Sequence, residues 1–340
     1  MTKTTTTTAK IPARAVRFDE IGGPEVLKIE DVLLPAPAPT ELLIRVQALG
    51  LNRAEALFRS GAYYYPAALP GSRLGYEAAG VVEAVGAEVT AFAPGDLVMT
   101  GPGIEMSAQG VYGDRVVLPE SAVVARPATV DAITGAAAWL TYSTAYGALL
   151  ETAGIRPGDH VVITGASSGV GTAALQVARR IGAIPIATTR TTAKRRQLLE
   201  AGAEHVLVEE ESDPAKETLR ITGGKGADIL FDAIGGPDLP ARAAGLKEGA
   251  TIVLYGWLDP RPIALPMSWP QTIHTYNNVA FSARPAYRRR FDAFLHAGLR
   301  DGSLRPVIAE VFEGLDRIQD AHRLMETNTH TGKIVVRVAD

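Results

Sequence analysis

The sequence predicts an α/β protein in which a doubly wound parallel sheet is joined to a β-rich, barrel-like domain. The length of 340 residues suggests two domains. A strand, a turn of small residues, a helix and a second strand follow one another at 160–190. Short apolar runs between Pro and Gly residues fill the N-terminal third. We therefore expect a disordered tail at 1–10, a barrel-like domain at 11–138 and 285–340, and a parallel-sheet domain at 139–284.

The N-terminal domain is predicted from short strands with one helical segment among them. The helical pattern lies at 52–60, and the strand candidates lie at 13–18, 27–33, 41–49, 78–85, 96–99 and 113–118. A long alanine-rich segment at 133–154 then indicates a helix.

The segment 160–190 predicts the first half of a dinucleotide-binding Rossmann unit. A β-branched run at 161–163 is typical of a buried parallel strand, and helical spacing of small and apolar residues follows as far as Gly182. Ala166, Ser168 and Gly171 hold the three glycine positions of the GxGxxG pattern. Small residues there let backbone N–H groups approach a pyrophosphate at the N-terminus of the helix.

The end of the second strand indicates the cofactor. An NAD-binding unit usually has Asp or Glu there, to accept from the ribose 2′-hydroxyl. This chain has Arg190, with Thr189 before it and Lys194 just after. Because a guanidinium binds a 2′-phosphate and a carboxylate repels it, we predict NADPH. The alternative is that these bases are only a solvated helix start.

The remainder of the chain completes both predicted domains. Further strands are expected at 205–208, 229–233, 251–255, 279–283 and 333–338, and helices at 194–201, 214–222, 287–301 and 315–327.

Composition excludes several classes of site and partner. The net charge of −3 and the absence of a basic stripe argue against nucleic acid. The absence of cysteine excludes disulfides and thiolate zinc sites. No apolar run is long enough to span a membrane, and the polar N-terminus lacks a signal-peptide core. We expect a cytoplasmic protein.

Four motifs in order resemble the medium-chain dehydrogenase/reductase superfamily and, within it, the zinc-free quinone oxidoreductase or ζ-crystallin-like branch. They are GLNRAEALFRSGAY at 50–63, GYEAAGVVEAVGAEVTAFAPGDLV at 75–98, LTYSTAYGAL at 140–149 and THTGKIVV at 329–336. The resemblance covers 14–338. It implies a GroES-like catalytic domain, a Rossmann domain and an active site in the cleft between them.

The resemblance also locates the metal position. Zinc alcohol dehydrogenases of this superfamily use Cys, His and Cys, and the matching residues here are Asn52, Tyr76 and Leu140. An amide, a phenol and a leucine are not the ligands that zinc prefers. We expect a metal-independent enzyme.

The same resemblance implies the catalytic candidates Asn52, Tyr63 and Tyr76. Asn52 replaces a metal ligand and is the preferred hydrogen-bond donor to the substrate carbonyl. Alternatively, Asn52 only caps the following helix. Tyr63 is a second donor candidate, or part of an aromatic rim with its neighbours Tyr64 and Tyr65. Tyr76 lines the pocket, or fills the space of the missing zinc.

The cofactor candidates follow from the Rossmann pattern and the resemblance together. Lys333 resembles a basic residue near the cofactor, with a solvated strand charge as the alternative. The full set is Thr144, Ala166, Ser167, Ser168, Gly169, Val170, Gly171, Thr189, Arg190, Lys194, Tyr255, Gly256 and Lys333.

These features together predict an NADPH-dependent oxidoreductase that acts on a small-molecule quinone or α,β-unsaturated carbonyl. One alternative is an enoyl-thioester reductase, and another is a non-catalytic nucleotide- or RNA-binding crystallin-like protein. Trp139, Trp257, Trp269 and the tyrosines suggest a roomy aromatic pocket. The family pairs its sixth Rossmann strand edge to edge, so we expect a homodimer through 279–283.

Overall fold

The computed structural model describes residues 10–268 and 270–338. All but the last residue of the expected N-terminal tail, and Trp269, lie outside the described residues. The chain forms two compact units, the first comprising Met1–Leu140 with Ile308–Asp340 and the second Thr141–Val307.

The second unit is built on one six-stranded parallel sheet. Its strands are β9 (His160–Ile163), β10 (Ile184–Thr189), β11 (His205–Val208), β12 (Ala227–Asp232), β13 (Leu246–Leu254) and β14 (Thr272–Thr275). Its helices are α5 (Gly169–Ile181), α6 (Arg195–Glu200), α7 (Pro214–Ile221), α8 (Leu239–Ala243), α9 (Asn278–Ser282) and α10 (Pro285–Asp301). The strand order is β11-β10-β9-β12-β13-β14, which is the doubly wound order with β9 as its first strand.

Local chemistry explains the first strand–helix pair of this unit. Val161 and Ile163 of β9 are fully buried, as expected for a strand that is covered on both faces. The Ser168 hydroxyl caps the N-terminus of α5, and the helix ends at Gly182, whose φ of 88° is left-handed. The sequence predicted these elements and their order.

The first unit contains a three-stranded sheet, a seven-stranded sheet and short helices. Its strands are β1 (Ile11–Phe18), β2 (Lys28–Leu34), β3 (Glu41–Gly50), β4 (Ser72–Arg73), β5 (Glu77–Val85), β6 (Leu97–Thr100), β7 (Arg115–Pro119), β8 (Val123–Ala125), β15 (Ile308–Glu313) and β16 (Lys333–Arg337). Its helices are α1 (Arg53–Arg59), α2 (Met106–Gln109), α3 (Ala132–Gly135) and α11 (Ile318–Thr327), and α4 (Trp139–Tyr146) runs across the boundary between the units.

The register of three strands brings distant residues of the first unit together. Gly50, at the end of β3, lies opposite Glu77 of β5 on one side and Val335 of β16 on the other. Asn52 follows Gly50 by two residues, and Lys333 precedes Val335 by two. The side chains of Asn52, Glu77 and Lys333 therefore meet at one end of the seven-stranded sheet.

Two sequence predictions of secondary structure are wrong. The segment 279–283 is not a strand, because the Asn277 side chain accepts from the N–H groups of Val279 and Ala280 and starts α9 there. The sixth strand is β14, which lies earlier in the chain. The expected long helix at 133–154 is broken into α3, α4 and a π-helical turn, Gly147–Thr152.

The helix α10 belongs to the second unit, although the sequence placed a domain boundary at 285. Its Tyr287 hydroxyl donates to the backbone carbonyl of Ser143 over 2.7 Å. The rings of Phe291 and Phe294 also pack against Tyr146, with centroid distances of 5.4 and 5.0 Å. Because these contacts fix α10 on α4, the unit continues to Val307.

His322 on α11 is a buried titratable group of the first unit. It is fully buried and edge-on to the Tyr112 ring at 5.9 Å, and its ring nitrogens have no hydrogen-bond partner among the described residues. Burial, together with the positive charges of Arg59 and Arg53, lowers the pKa of His322 to about 3.

We expect this histidine to make the protein less stable in mild acid. The unfolded chain takes up a proton on His322 near pH 6.5 and the folded chain does not. The contribution of His322 to the free energy of unfolding is therefore present above that pH and lost below it. Between about pH 7.5 and 5.5 the loss is about 1.4 kcal/mol in the free energy of unfolding. Denaturant unfolding of the unmodified protein and His322→Leu at both pH values isolates this contribution. An identical pH dependence in the two proteins would contradict it.

None of the described helices is both long and apolar enough to cross a bilayer.

Candidate active site

The turn between β9 and α5 has the geometry of a phosphate-binding loop. A Cβ on Gly171 would lie 2.4 Å from the carbonyl oxygen of Gly165, so only glycine fits there. The Ser168 hydroxyl accepts from the Gly171 N–H over 3.0 Å, and Gly165 has a φ of 55°. The turn therefore lets a bound group come close to the backbone N–H groups at the N-terminus of α5. This geometry suits an anion. The predicted residues 166–171 all lie in this loop or the first turn of α5.

Two cations accompany this turn where an NAD-binding unit would have an acid. Arg190 follows β10 directly and is exposed, and Lys194 donates to the Ser167 hydroxyl over 2.9 Å. Burial, followed by the charge of Arg190, lowers the pKa of Lys194. Arg195, in contrast, forms an ion pair with Glu211. The arrangement places two positive charges close together beside the phosphate loop, which suits a dianion.

Three further candidates lie in the same unit. Thr144 is buried on α4. The Tyr255 ring stacks on Phe231 at a centroid distance of 4.0 Å. A Cβ on Gly256 would lie 2.8 Å from the carbonyl oxygen of Ala233, so the chain needs glycine at this close approach. Tyr255 and Gly256 follow β13, where parallel sheets bind ligands.

The first unit contains a buried polar cluster where β3 ends and β5 and β16 begin. It is formed by Asn52, Glu55, Glu77 and Lys333. The ammonium of Lys333 lies 2.5 Å from a carboxylate oxygen of Glu77 and 2.5 Å from the amide oxygen of Asn52. The Lys333 and Glu77 side chains are only 4% and 1% exposed. The interpretation of Lys333 as a solvated strand charge is wrong, because its ammonium is held in this cluster.

Glu55 adds a second carboxylate to the polar cluster. Its oxygens accept from the Tyr76 backbone N–H over 3.1 Å, from the backbone N–H of Asn52 and from the Asn52 amide. Burial raises the pKa of Glu55 to about 7, against the opposing charge of Lys333 and these hydrogen bonds. Sequence reasoning missed Glu55, although Asn52 followed three residues later by Glu is the spacing of a capping box.

The structure leaves the Asn52 side chain no spare donor. Its amide N–H group faces three acceptors, which are the Gly50 carbonyl at 3.3 Å, Glu55 at 3.1 Å and Glu77 at 3.4 Å. An amide nitrogen carries only two protons, so these acceptors occupy both. Asn52 is also the N-cap residue of α1. The capping alternative therefore agrees with the geometry, and the amide orients Lys333.

Three phenols lie beside the polar cluster. The Tyr76 hydroxyl is 3.1 Å from the Tyr63 hydroxyl and 2.7 Å from that of Tyr65. Burial raises the pKa of Tyr63, Tyr65 and Tyr76, so all three are neutral at pH 7. The sequence singled out Tyr63 and Tyr76, and it assigned Tyr65 only to an aromatic rim. We call these three residues the phenol chain.

The two described tryptophans differ in exposure. Trp139 is buried in the first unit, and Trp257 is 51% exposed in the second. Trp269 lies outside the described residues.

The residues at the metal position do not fit zinc. Tyr76 and Asn52 supply a phenol and an amide, and Leu140 contributes only its backbone N–H, which donates to Glu77 over 2.9 Å. The ammonium of Lys333 lies among these groups and would repel a dication. Over 10–268 and 270–338, the structure contains no group of three or more His, Cys, Asp or Glu that could hold a metal ion.

A doubly wound unit with a phosphate loop, joined to a β-rich unit with a polar cluster, is the architecture of a medium-chain dehydrogenase/reductase. Residues 38–128 match the family model of the alcohol dehydrogenase GroES-like domain, and residues 169–297 match that of the zinc-binding dehydrogenase. A quinone oxidoreductase of Lama guanicoe is 34% identical over 325 residues, which cover 95% of this chain and 97% of that protein. The chain belongs to the zinc-free quinone oxidoreductase family and is an oxidoreductase. The GroES-like and Rossmann folds expected from the sequence are confirmed.

Two solved structures share this fold along nearly the whole chain. The quinone oxidoreductase of Escherichia coli, complexed with NADPH, superimposes with a TM-score of 0.87 at 26% identity and covers 96% of this chain and 100% of its own. The CurK enoyl reductase superimposes with a TM-score of 0.82 at 26% identity, covering 96% of this chain and 99% of its own.

Proposed function

We propose that the protein is an NADPH-dependent reductase of quinones, or of C=C bonds conjugated to a carbonyl, that works without zinc. The observation that carries this proposal is the phenol chain beside the buried Lys333–Glu77 pair, at the position where zinc relatives bind their metal. At this position, side-chain hydrogen-bond donors take the place of a Lewis acid.

The proposed cofactor site is the loop between β9 and α5 with the residues around it. The N–H groups at the start of α5 would bind the pyrophosphate. Arg190 and Lys194 would bind the 2′-phosphate, because two adjacent cations match its charge. The E. coli relative with NADPH supports this choice of cofactor. We assign Thr144, Tyr255 and Gly256 to the ribose and nicotinamide.

The phenol chain would stabilise the charge that develops in the reaction. Bound NADPH supplies a hydride from C4 of the nicotinamide. Reduction of a quinone or an enone then places negative charge on the acceptor's carbonyl oxygen, where a positioned donor lowers the barrier. Three phenols carry three hydroxyl protons, and their two mutual hydrogen bonds use two of them. One proton is left for the acceptor oxygen, and we assign its donation to Tyr63 or Tyr76.

A second candidate is the reduction of an enoyl thioester. The similarity to the CurK enoyl reductase favours it. The same phenols would stabilise the thioester enolate, because charge again develops on a carbonyl oxygen. The two candidates differ in the acceptor and share the cofactor.

Steady-state oxidation of NADPH with a panel of quinones, enones and enoyl thioesters tests the proposal. We expect turnover with quinones or enones, and turnover with enoyl thioesters alone would establish the second candidate. A titration of nicotinamide fluorescence in the same preparation reports cofactor binding. Binding of NADPH without turnover on any acceptor would contradict the enzymatic assignment.

We also propose a homodimer, formed through β14 in place of the segment 279–283. β14 is an edge strand with one partner, β13, among the described strands, and edges with unpaired backbone groups favour association. Leu265 and Met267, shortly before β14, are 64% and 79% exposed, which adds apolar surface in the same stretch of chain. Sedimentation at micromolar concentration is expected to give twice the chain mass. A monomeric mass would contradict the proposal.

A further inference from the structure

The phenol chain contains more than the single donor that the proposed reaction needs. Tyr76 is its centre, with hydroxyl oxygens at 3.1 Å on the Tyr63 side and 2.7 Å on the Tyr65 side. The distance on the Tyr65 side is typical of an O–H···O hydrogen bond, and the one on the Tyr63 side is just above the usual upper limit of about 3.0 Å. A continuous path of hydroxyl groups therefore connects Tyr65 to Tyr63 through Tyr76.

We infer that Tyr65, Tyr76 and Tyr63 form a proton relay that supplies the proton accompanying the hydride. The inference rests on the proposed function and adds a route for the second half of the reaction. Tyr63 donates to the acceptor oxygen, and Tyr65 is a positioning residue that acts through Tyr76.

The surroundings of the two ends give the relay its direction. At the Tyr65 end, the backbone N–H of Met106 donates to the hydroxyl oxygen, which leaves the Tyr65 proton to point at Tyr76. Tyr65 is itself partly exposed, so a solvent proton can reach this end. At the other end, burial raises the pKa of Tyr63, and nearby Glu55 raises it further when ionised, so a phenolate is disfavoured there. A Tyr63 that has given up its proton faces the Tyr76 hydroxyl at 3.1 Å, from which it can regain one.

Each proton in the step is accounted for. As the hydride bonds to carbon, an O–H bond forms on the acceptor oxygen and the Tyr63 O–H bond breaks. The Tyr76 proton passes to Tyr63, the Tyr65 proton to Tyr76, and a solvent proton to Tyr65. The three phenols end as they began, and the net change is one hydride from NADPH and one proton from water.

The relay predicts that several protons move in the rate-determining step. For the unmodified protein we expect a solvent isotope effect on kcat whose dependence on the D₂O fraction is curved. Tyr65→Phe removes one oxygen at the solvent end, away from the acceptor. It should lower kcat by roughly tenfold to 100-fold, at or below the lower end of what general acid–base catalysis contributes, with little change in KM and with a less curved dependence on D₂O, because one proton fewer moves.

Tyr64→Phe is the matched control, because Tyr64 is 62% exposed and its hydroxyl is not one of the three that form the phenol chain. It should behave as the unmodified protein in all three measurements. Tyr76→Phe should match or exceed the loss in Tyr65→Phe, since it interrupts the path at its centre. Thermal melting of each variant confirms that it is folded.

Two results would overturn the inference, and they are distinguishable. If Tyr65→Phe keeps the kcat of the unmodified protein and the same curvature in D₂O, the relay is refuted and the proposed function stands. If the unmodified protein oxidises NADPH with no acceptor of the panel, the proposed function fails and the relay fails with it.

Discussion

Replacement of Lys333 by Met is expected to lower the free energy of unfolding by about 3–5 kcal/mol, as for other buried ion pairs that lose one partner. The ammonium lies against Glu77 and is the charge that most opposes the raised pKa of Glu55. Without it, two buried carboxylates face each other with no counter-ion. Chemical denaturation of the variant and the unmodified protein measures the difference.

The loss should be larger at pH 9 than at pH 6. Removal of Lys333 raises the pKa of Glu55 further. A carboxyl group with a higher pKa in the folded than in the unfolded chain stabilises the folded state at low pH, and this contribution is lost as the pH rises through the folded pKa. The double variant Lys333→Met/Glu77→Gln should recover part of the stability, because it removes the uncompensated charge. Lys225→Met, at an exposed lysine, is the control. A change below about 1 kcal/mol in Lys333→Met, as for a surface ion pair, would show that the pair is not buried in solution.

Replacement of Arg190 by Asp is expected to lower or reverse the preference between the two dinucleotides. The unmodified protein should favour NADPH over NADH by at least about tenfold in kcat/KM, since one charge-assisted contact to phosphate contributes about 1.5–3 kcal/mol. The variant replaces that attraction by repulsion of the 2′-phosphate, and its carboxylate can accept from the 2′-hydroxyl of NADH.

The ratio of kcat/KM for the two cofactors, measured with one acceptor, reports this effect. Arg289→Asp changes the same charge on the exposed face of α10 and should leave the ratio unaltered. Equal kcat/KM for NADPH and NADH in the unmodified protein would refute the role of Arg190.

The sequence predicted best the elements that local chemistry determines. The unit β9–α5–β10 was predicted in place because a β-branched run, small turn residues and Gly182 act within a few residues of one another. The strand predicted at 279–283 is wrong, because a local signal just before the segment determines its structure. Five residues of alternating apolarity fit a strand, but the Asn277 cap decides for a helix.

The polar cluster could be predicted only in part. The resemblance placed Asn52 and Tyr76 at the metal position, but Lys333 and Glu77 are 256 positions apart and meet through the pairing of β3 with β5 and β16. Spacing carries no signal of such a contact. The role of Tyr65 was equally hidden, because three consecutive tyrosines do not show which hydroxyl points at Tyr76.

The most direct test of zinc-free reduction is turnover by protein whose metal content is known. The unmodified enzyme, chelated exhaustively and dialysed, is assayed for NADPH oxidation with the best acceptor of the panel, and zinc is measured by elemental analysis on the same sample. We expect undiminished kcat with far less than one zinc per chain, because Asn52, Tyr76 and Leu140 do not form a zinc site. Stoichiometric zinc before chelation, with activity lost on its removal and restored on its return, would contradict the account.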